Sequence, residues 1–283
     1  MILVFGKTGQ VALELQKLLP CALFLGRHEA DLSNPAACAT LIEQSSPEAV
    51  INAAAYTAVD KAEDDETIAA LVNGAAPTAM ARACAALGIP FVHISTDYVF
   101  DGAGTEPFKP DDKTAPLGAY GRTKLAGEGG IRAAGGTYAI LRTSWVFSAH
   151  GSNFVKAMLR LSETRRELSV VADQIGGPTP AAAIAQACIT IAKALFDDPK
   201  KSGTYHFSGS PSVSWAGFAR EIFAQSSRDV GVKDIPTSAY RTPALRPINS
   251  RMDFAKTENV FSIRQPDWKA SLQNIIDELD LPR

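Results

Sequence analysis

Cysteine is scarce in this chain and widely scattered. Cys21, Cys38, Cys84 and Cys188 are the four in 283 residues, with no CxxC pair. That spacing excludes a disulfide scaffold and leaves reduced, packed thiols as the expectation. Histidine is equally sparse, four residues at no ligand spacing, which argues against a metal centre. No apolar run approaches the length of a membrane span. The first strand pattern starts at Met1, so no leader peptide is expected and the chain reads as cytoplasmic, without a membrane partner. Charge of one sign is missing too. Lys and Arg total 28 against 30 Asp and Glu, a net charge of -2 that provides no basic face for nucleic acid. Internal repeats and low-complexity tracts are also absent.

What is present is ordinary globular material, 46% hydrophobic and 20% charged, in a chain long enough to bury a large core. Short apolar runs at 2–5, 22–25, 49–52, 90–95 and 138–142 alternate with helical patterns at 11–19, 35–44, 64–87 and 120–134. Leu13, Leu15, Leu18 and Leu19 are expected to face inward from the first helix, and Ser33 or Asn34 to cap the second. Strand, helix, strand at this spacing predicts an α/β fold, a Rossmann-like doubly wound parallel sheet. After residue 147 the rhythm loosens into helical patterns at 153–163, 181–195, 214–225 and 268–279, separated by Pro- and Gly-rich loops. Residues 1–147 are therefore expected to bind a dinucleotide. Residues 148–283 should form a smaller mixed lobe for substrate, with some segments packing back on the first half.

Gly6-Lys7-Thr8-Gly9-Gln10-Val11-Ala12 follows the first strand and opens the first helix. In that context Gly6 permits a tight turn, Gly9 lets backbone approach phosphates, and Ala12 keeps helix close to strand. The helix N-terminus then offers N–H groups and a partial positive charge to a pyrophosphate. The second strand ends Leu25-Gly26-Arg27-His28, without the acid that would hold an NAD ribose. Arg27 suits a 2′-phosphate, so NADPH is expected over NADH. Asp31-Leu32 can reach the adenine, and the small residues 53–55 with Tyr56 and Thr57 lie where a cofactor meets the sheet edge.

Tyr120-Gly-Arg-Thr-Lys124 sets a phenol and an ammonium one helical turn apart on one face. Ser95-Thr96-Asp97 ends the preceding strand, so both groups can meet at the same sheet edge. A phenol has a reference pKa of about 10, and a nearby ammonium favours phenolate. Thr96 would orient a carbonyl oxygen and Tyr120 would protonate it as hydride reaches carbon.

At these residues the chain resembles the extended short-chain dehydrogenase/reductases, and among them the dTDP-4-dehydrorhamnose reductases. The likeness runs nearly end to end. It is carried by NAAAYTAVDKAE at 52–63, STDYVFDG at 95–102, YGRTKLAGE at 120–128, LRTSWVF at 141–147, DQIGGPT at 173–179 and PALRPINSR at 243–251. The resemblance implies NAD(P)H-dependent reduction of the C4 ketone of dTDP-4-dehydro-L-rhamnose. Thr96, Tyr120 and Lys124 would be the catalytic set. Gly9, Gln10, Val11, Asp31, Leu32, Ala55, Tyr56, Thr57, Tyr120 and Lys124 would touch cofactor, and Thr96, Asp97 and Trp145 would touch the nucleotide sugar. Some members dimerise through magnesium held by glutamates. Glu14 fits the first such position, but Pro180-Ala181-Ala182-Ala183 supplies no carboxylate. No essential metal and a monomer or metal-free homodimer are therefore expected.

Other features are weighed beside this. The acidic run from Asp60 to Glu66 reads as a solvated helix start. Arg246 and Arg251 are candidates for a substrate pyrophosphate. A nucleotide-binding regulatory subunit, like that of methionine adenosyltransferase, is one alternative function. An epimerase or dehydratase on another nucleotide sugar is a second, but those enzymes hold NAD tightly, and Arg27 favours an exchangeable NADPH.

Overall fold

The structure, a computed structural model, describes residues 1–279. Strands β1 (Ile2–Phe5), β2 (Leu23–Leu25), β3 (Ala49–Asn52), β4 (Phe91–Thr96) and β5 (Tyr138–Thr143) run parallel in the order 2-1-3-4-5. A sixth parallel strand, Gly203–His206, joins beside β5. Parallel strands are covered on both faces, and β3 shows it: all four of its residues are buried. The sheet is the doubly wound α/β arrangement expected. Strand order reverses at β1, with β2 on one side and β3 on the other, so a crevice opens beyond their carboxyl ends.

Helices α1 (Gln10–Leu18), α2 (Pro35–Ser45), α3 (Glu66–Ala70), α4 (Ala76–Leu87) and α5 (Ala119–Ala134) alternate with these strands, and Asn34 caps α2 through Ala37 N–H. A π-helical turn, Leu71–Ala75, joins α3 to α4. One sheet face buries Leu3, Phe5, Val50, Phe91 and Ile140 against Ile42, Met80 and Ile131. The other buries Val4, Ile51, Val92 and Leu141 with Val11 and Leu15 of α1 and the long helix Ala181–Asp197. The inward stripe of α1 differs from the leucine set expected. Val11, Ala12 and Leu15 pack, whereas Leu18 in the final turn is 44% exposed.

A third core forms from helices Phe154–Ser162, Trp215–Gln225 and Trp268–Glu278 around Phe147, Phe218 and Trp268. Asn153 and Ser214 cap the first two through their side chains. The pairing of Glu167–Val171 with Gly231–Ile235 and the short helix Ala255–Phe261 have no counterpart in the sequence reading. All four cysteines are free thiols, but only three pack inside; Cys21 is exposed. Among the described residues no helix is long and apolar enough to cross a membrane.

Candidate active site

The crevice begins with a glycine that backbone geometry requires. Gly6 has φ +112°, and a Cβ there would lie 3.2 Å from the Ala53 carbonyl carbon at the end of β3. Gly9 precedes α1, and a Cβ on it would meet nothing within 4 Å. The first N–H groups of α1 have no intrahelical acceptor, so turn and helix end together fit a pyrophosphate. The Gln10 side chain is engaged elsewhere: its Oε1 accepts from Ser148 Oγ at 2.8 Å and Asn153 Nδ2 at 2.9 Å, pinning α1 to the loop before the helix Phe154–Ser162. Val11 and Leu32 are core residues and can offer a ligand little beyond backbone. Arg27 stands in solvent past β2 with an 82% exposed side chain, its Nε 3.8 Å from Asp31 Oδ2. Asp31 in turn accepts from Ser33 N–H at 2.9 Å. Beside them Lys7 pairs with Glu29 at 3.1 Å.

Residues 53–57 leave β3 along the crevice, and a residue absent from the sequence reading fixes them. Asn73, fully buried in the π-helical turn, accepts from Tyr56 N–H at 2.8 Å and donates to Tyr56 O at 3.1 Å and Thr123 Oγ1 at 3.2 Å. It therefore ties the Ala55-Tyr56-Thr57 segment to α5. The acidic run also differs from the solvated helix start expected. Asp60 holds Arg246 through two hydrogen bonds of 2.9 and 2.7 Å, and Glu63 accepts from Ala119 N–H at 2.9 Å, the first N–H of α5. Asp65 accepts from the Tyr56 hydroxyl at 3.0 Å, and Glu66 pairs with Arg122 twice at 3.0 Å. The run docks the start of α5 and the late loop, because backbone N–H and guanidinium groups converge on it. Arg246, a candidate for substrate phosphate, is thus bonded to Asp60, while Arg251 reaches Asn249 Oδ1 at 3.1 Å.

Thr96 closes β4, and Tyr120 enters on the first turn of α5. Gly121 brings them together, since a Cβ there would fall 2.2 Å from Tyr98 O. The rings of Tyr98 and Tyr120 meet edge to face at 5.5 Å. Thr96 Oγ1 donates to Asp97 Oδ1 at 3.1 Å and accepts from Tyr98 N–H at 3.2 Å. Burial pushes the Tyr120 phenol up to about 12, the neighbouring Thr96 hydroxyl opposes this, and Asp97 adds to the rise. Asp97 is itself buried, which pushes its carboxyl up to about 6 against the nearby Ser250 hydroxyl and the hydrogen bond from Thr96. Its Oδ2 has no hydrogen-bond partner.

Lys124 follows one turn later but does not act on Tyr120 as the spacing suggests. Its Nζ lies 3.0 Å from His93 Nε2 and donates to Ile94 O at 2.7 Å, both on β4. Burial pushes it down to about 8, with Glu128 pulling the other way. The lysine stem is sealed between helix and strand, so desolvation outweighs the helix-face pairing.

Trp145 sits just past β5 with φ +49°, a conformation that bulky residues rarely adopt. It stacks on Trp215 at 3.6 Å, over Gly176, where a Cβ would lie 2.9 Å from its ring. Trp215 Nε1 donates to Gln174 Oε1, and Gln174 Nε2 to Thr237 Oγ1, both at 3.1 Å. Among the described residues no group of three or more His, Cys, Asp or Glu is placed to hold a metal ion. Glu14 instead faces Lys17 at 3.2 Å and His150 at 2.9 Å.

Comparison with known proteins extends what the geometry suggests. The family model described as the RmlD substrate binding domain matches residues 1–281. A dTDP-4-dehydrorhamnose reductase of Sinorhizobium fredii is 45% identical over 282 residues, 96% of this chain and 95% of the relative. The crystal structure of a dTDP-4-dehydrorhamnose reductase from Clostridium acetobutylicum superposes with a TM-score of 0.92 at 37% identity, covering 99% of each chain. The Bacillus anthracis dTDP-4-dehydrorhamnose reductase, solved in complex with NADP, gives 0.90 at 34% identity over 98% of each chain. With its glycine turn, its Thr96/Tyr120/Lys124 edge and this end-to-end match, the chain belongs to the dTDP-4-dehydrorhamnose reductase family of oxidoreductases.

Proposed function

We propose that this protein reduces the C4 ketone of dTDP-4-dehydro-L-rhamnose to dTDP-L-rhamnose, with hydride from NADPH and the proton from Tyr120. The observation that carries the reading is the meeting of Thr96, at the end of β4, with Tyr120, on the first turn of α5, at the sheet edge beside the glycine crevice. A bound nicotinamide supplies the hydride. A phenol at about 12 stays protonated at neutral pH, which suits a donor to the alkoxide that hydride addition creates. Thr96 positions the ketone oxygen, and Lys124 as ammonium offsets the phenolate left behind. Asp97 Oδ2, buried and without a partner, accepts a sugar hydroxyl, and the Trp145 ring packs against the sugar. Gly6, Gly9 and the start of α1 hold the pyrophosphate, residues 53–57 line the nicotinamide side, and Arg27 takes the 2′-phosphate. Residues 1–147 then chiefly serve cofactor and 148–283 substrate, with no essential metal.

The test follows nicotinamide absorbance with purified protein and enzymatically generated dTDP-4-dehydro-L-rhamnose. Wild type should turn over, and Tyr120→Phe should lose about 10²- to 10⁴-fold in kcat, the range general acids contribute. Arg27→Ala should lower kcat/KM for NADPH about tenfold, roughly one charge-assisted phosphate contact, and leave NADH unchanged. Nucleotide binding without turnover would sink the reductase reading and favour a regulatory subunit. NADH matching or exceeding NADPH in the wild type would sink the role of Arg27.

A further inference from the structure

The buried contact between Lys124 and His93 belongs to a longer chain whose polarity can be read from one end. On β3, Ala54 N–H donates to Asn52 Oδ1 at 3.1 Å. A backbone N–H cannot accept, so the carboxamide is held with oxygen toward Ala54 and NH₂ toward β4. The β3–β4 register sets Asn52 directly beside His93, and Asn52 Nδ2 lies 3.1 Å from His93 Nδ1. Nδ1 must therefore accept, and a neutral ring has its single hydrogen on Nε2. That nitrogen faces Lys124 Nζ at 3.0 Å, and an N–H can only donate there to an amine lone pair. The amine keeps its own hydrogen bond to Ile94 O.

We propose that His93 is a positioning residue for Lys124: locked by Asn52 as the Nε2–H tautomer, it donates to the lysine nitrogen and keeps it an uncharged amine, parked against β4, until the site is loaded. Lys124 becomes the ammonium that catalysis needs only by leaving His93 and taking a proton from solvent. Burial brings Lys124 down to about 8, and the hydrogen bond donated by His93 carries it the rest of the way to the amine near neutral pH. His93 and Lys124 are both almost fully buried. Burial holds the imidazole well below its ordinary range, so the ring stays neutral. Glu128, one turn on from Lys124 in α5, is the carboxylate acting on Lys124, and it is already bonded to Ser95 of β4, Arg132 of α5 and Arg142 of β5. Asp97, beyond the end of β4, acts on Tyr120 and Tyr98.

The proposal rests on Lys124 serving the reductase chemistry, but its first test does not. NMR of ligand-free protein labelled at the histidine ring nitrogens, with His93→Gln to assign the signal, should show His93 protonated at Nε2 and bare at Nδ1 near neutral pH. A hydrogen on Nδ1, or on both nitrogens, overturns the proposal. Asn52→Asp turns the chain around with almost no change of shape, drawing the hydrogen to Nδ1 and leaving Nε2 to accept from an ammonium. Its His93 signal should invert, and the basic limb of its kcat/KM profile should move up by about one pH unit. His93→Gln keeps the original polarity, its carbonyl accepting from Asn52 and its NH₂ donating to Lys124, and should leave the limb where wild type has it. An unmoved limb in Asn52→Asp, or equal shifts in both variants, also overturns it. The wild-type spectra decide the tautomer even if no turnover is found, an outcome that would count against the proposed reaction alone.

Discussion

Asp97 shows how far a single side chain in this site departs from what stability would choose. Its carboxyl rises from an ordinary value near 3.8 to about 6, chiefly by burial, so the folded state binds its proton more tightly than the unfolded chain does. The sign follows by linkage. Below the unfolded value both states are protonated and there is no penalty. As pH rises through about 6 the folded protein must carry a buried charge that the unfolded chain holds in water. The cost at neutral pH is of order 2–3 kcal/mol. Asp97→Asn should therefore raise Tm at pH 7.5 and have no effect near pH 3.5, while cutting turnover. Melting curves across that range check it, and a gain at low pH or a loss at neutral pH would refute the assignment. A group so disfavoured, with one oxygen left unbonded, makes sense where a substrate hydroxyl completes it.

At the scale of elements, α5 carries the site by approaching its neighbours closely. Gly121 rests on Tyr98 O, and Gly127 on Asn73 O, each too near for a Cβ. Gly121→Ala should push the first turn of α5 away from Thr96. Since displacements near 1 Å can cost about 100-fold, kcat should fall by that order, with NADPH affinity little changed. Steady-state kinetics with a titration of NADPH fluorescence separates the two effects, and an unaltered kcat would refute this role for the contact. The helix itself was legible, because Tyr120-x-x-x-Lys124 and the apolar periodicity both mark it, and so was the glycine turn after β1. What lay hidden depends on distant partners. Glu63 and Glu66 meet α5 across 56 residues, and Asp60 meets Arg246 across 186, so a local reading sees only surface acids. His93 looks like a core histidine until strand register sets Asn52 beside it. Asn73 sits in an Ala-rich helical stretch whose π-helical turn has no sequence mark.

Over the whole molecule, the central sheet is not closed by the first half of the chain alone. Its edge strand, Gly203–His206, and the helix Ala181–Asp197 that covers Val4, Ile51, Val92 and Leu141 both come from the second half. The mixed lobe resisted sequence reading for a related reason: its strands are two to five residues long and pair between segments far apart. A fragment of residues 1–147 should therefore aggregate or bind hydrophobic dyes, and adding residues through 206 should relieve this. Dye binding and sedimentation of the two fragments check it, and a soluble, cooperatively melting 1–147 fragment would refute it. The same order of elements matters at the ribosome. A growing chain displays one greasy face of its sheet until residues past 181 have cleared the exit tunnel. During that interval the newborn protein depends on a chaperone, or on the speed of translation itself, to stay out of trouble.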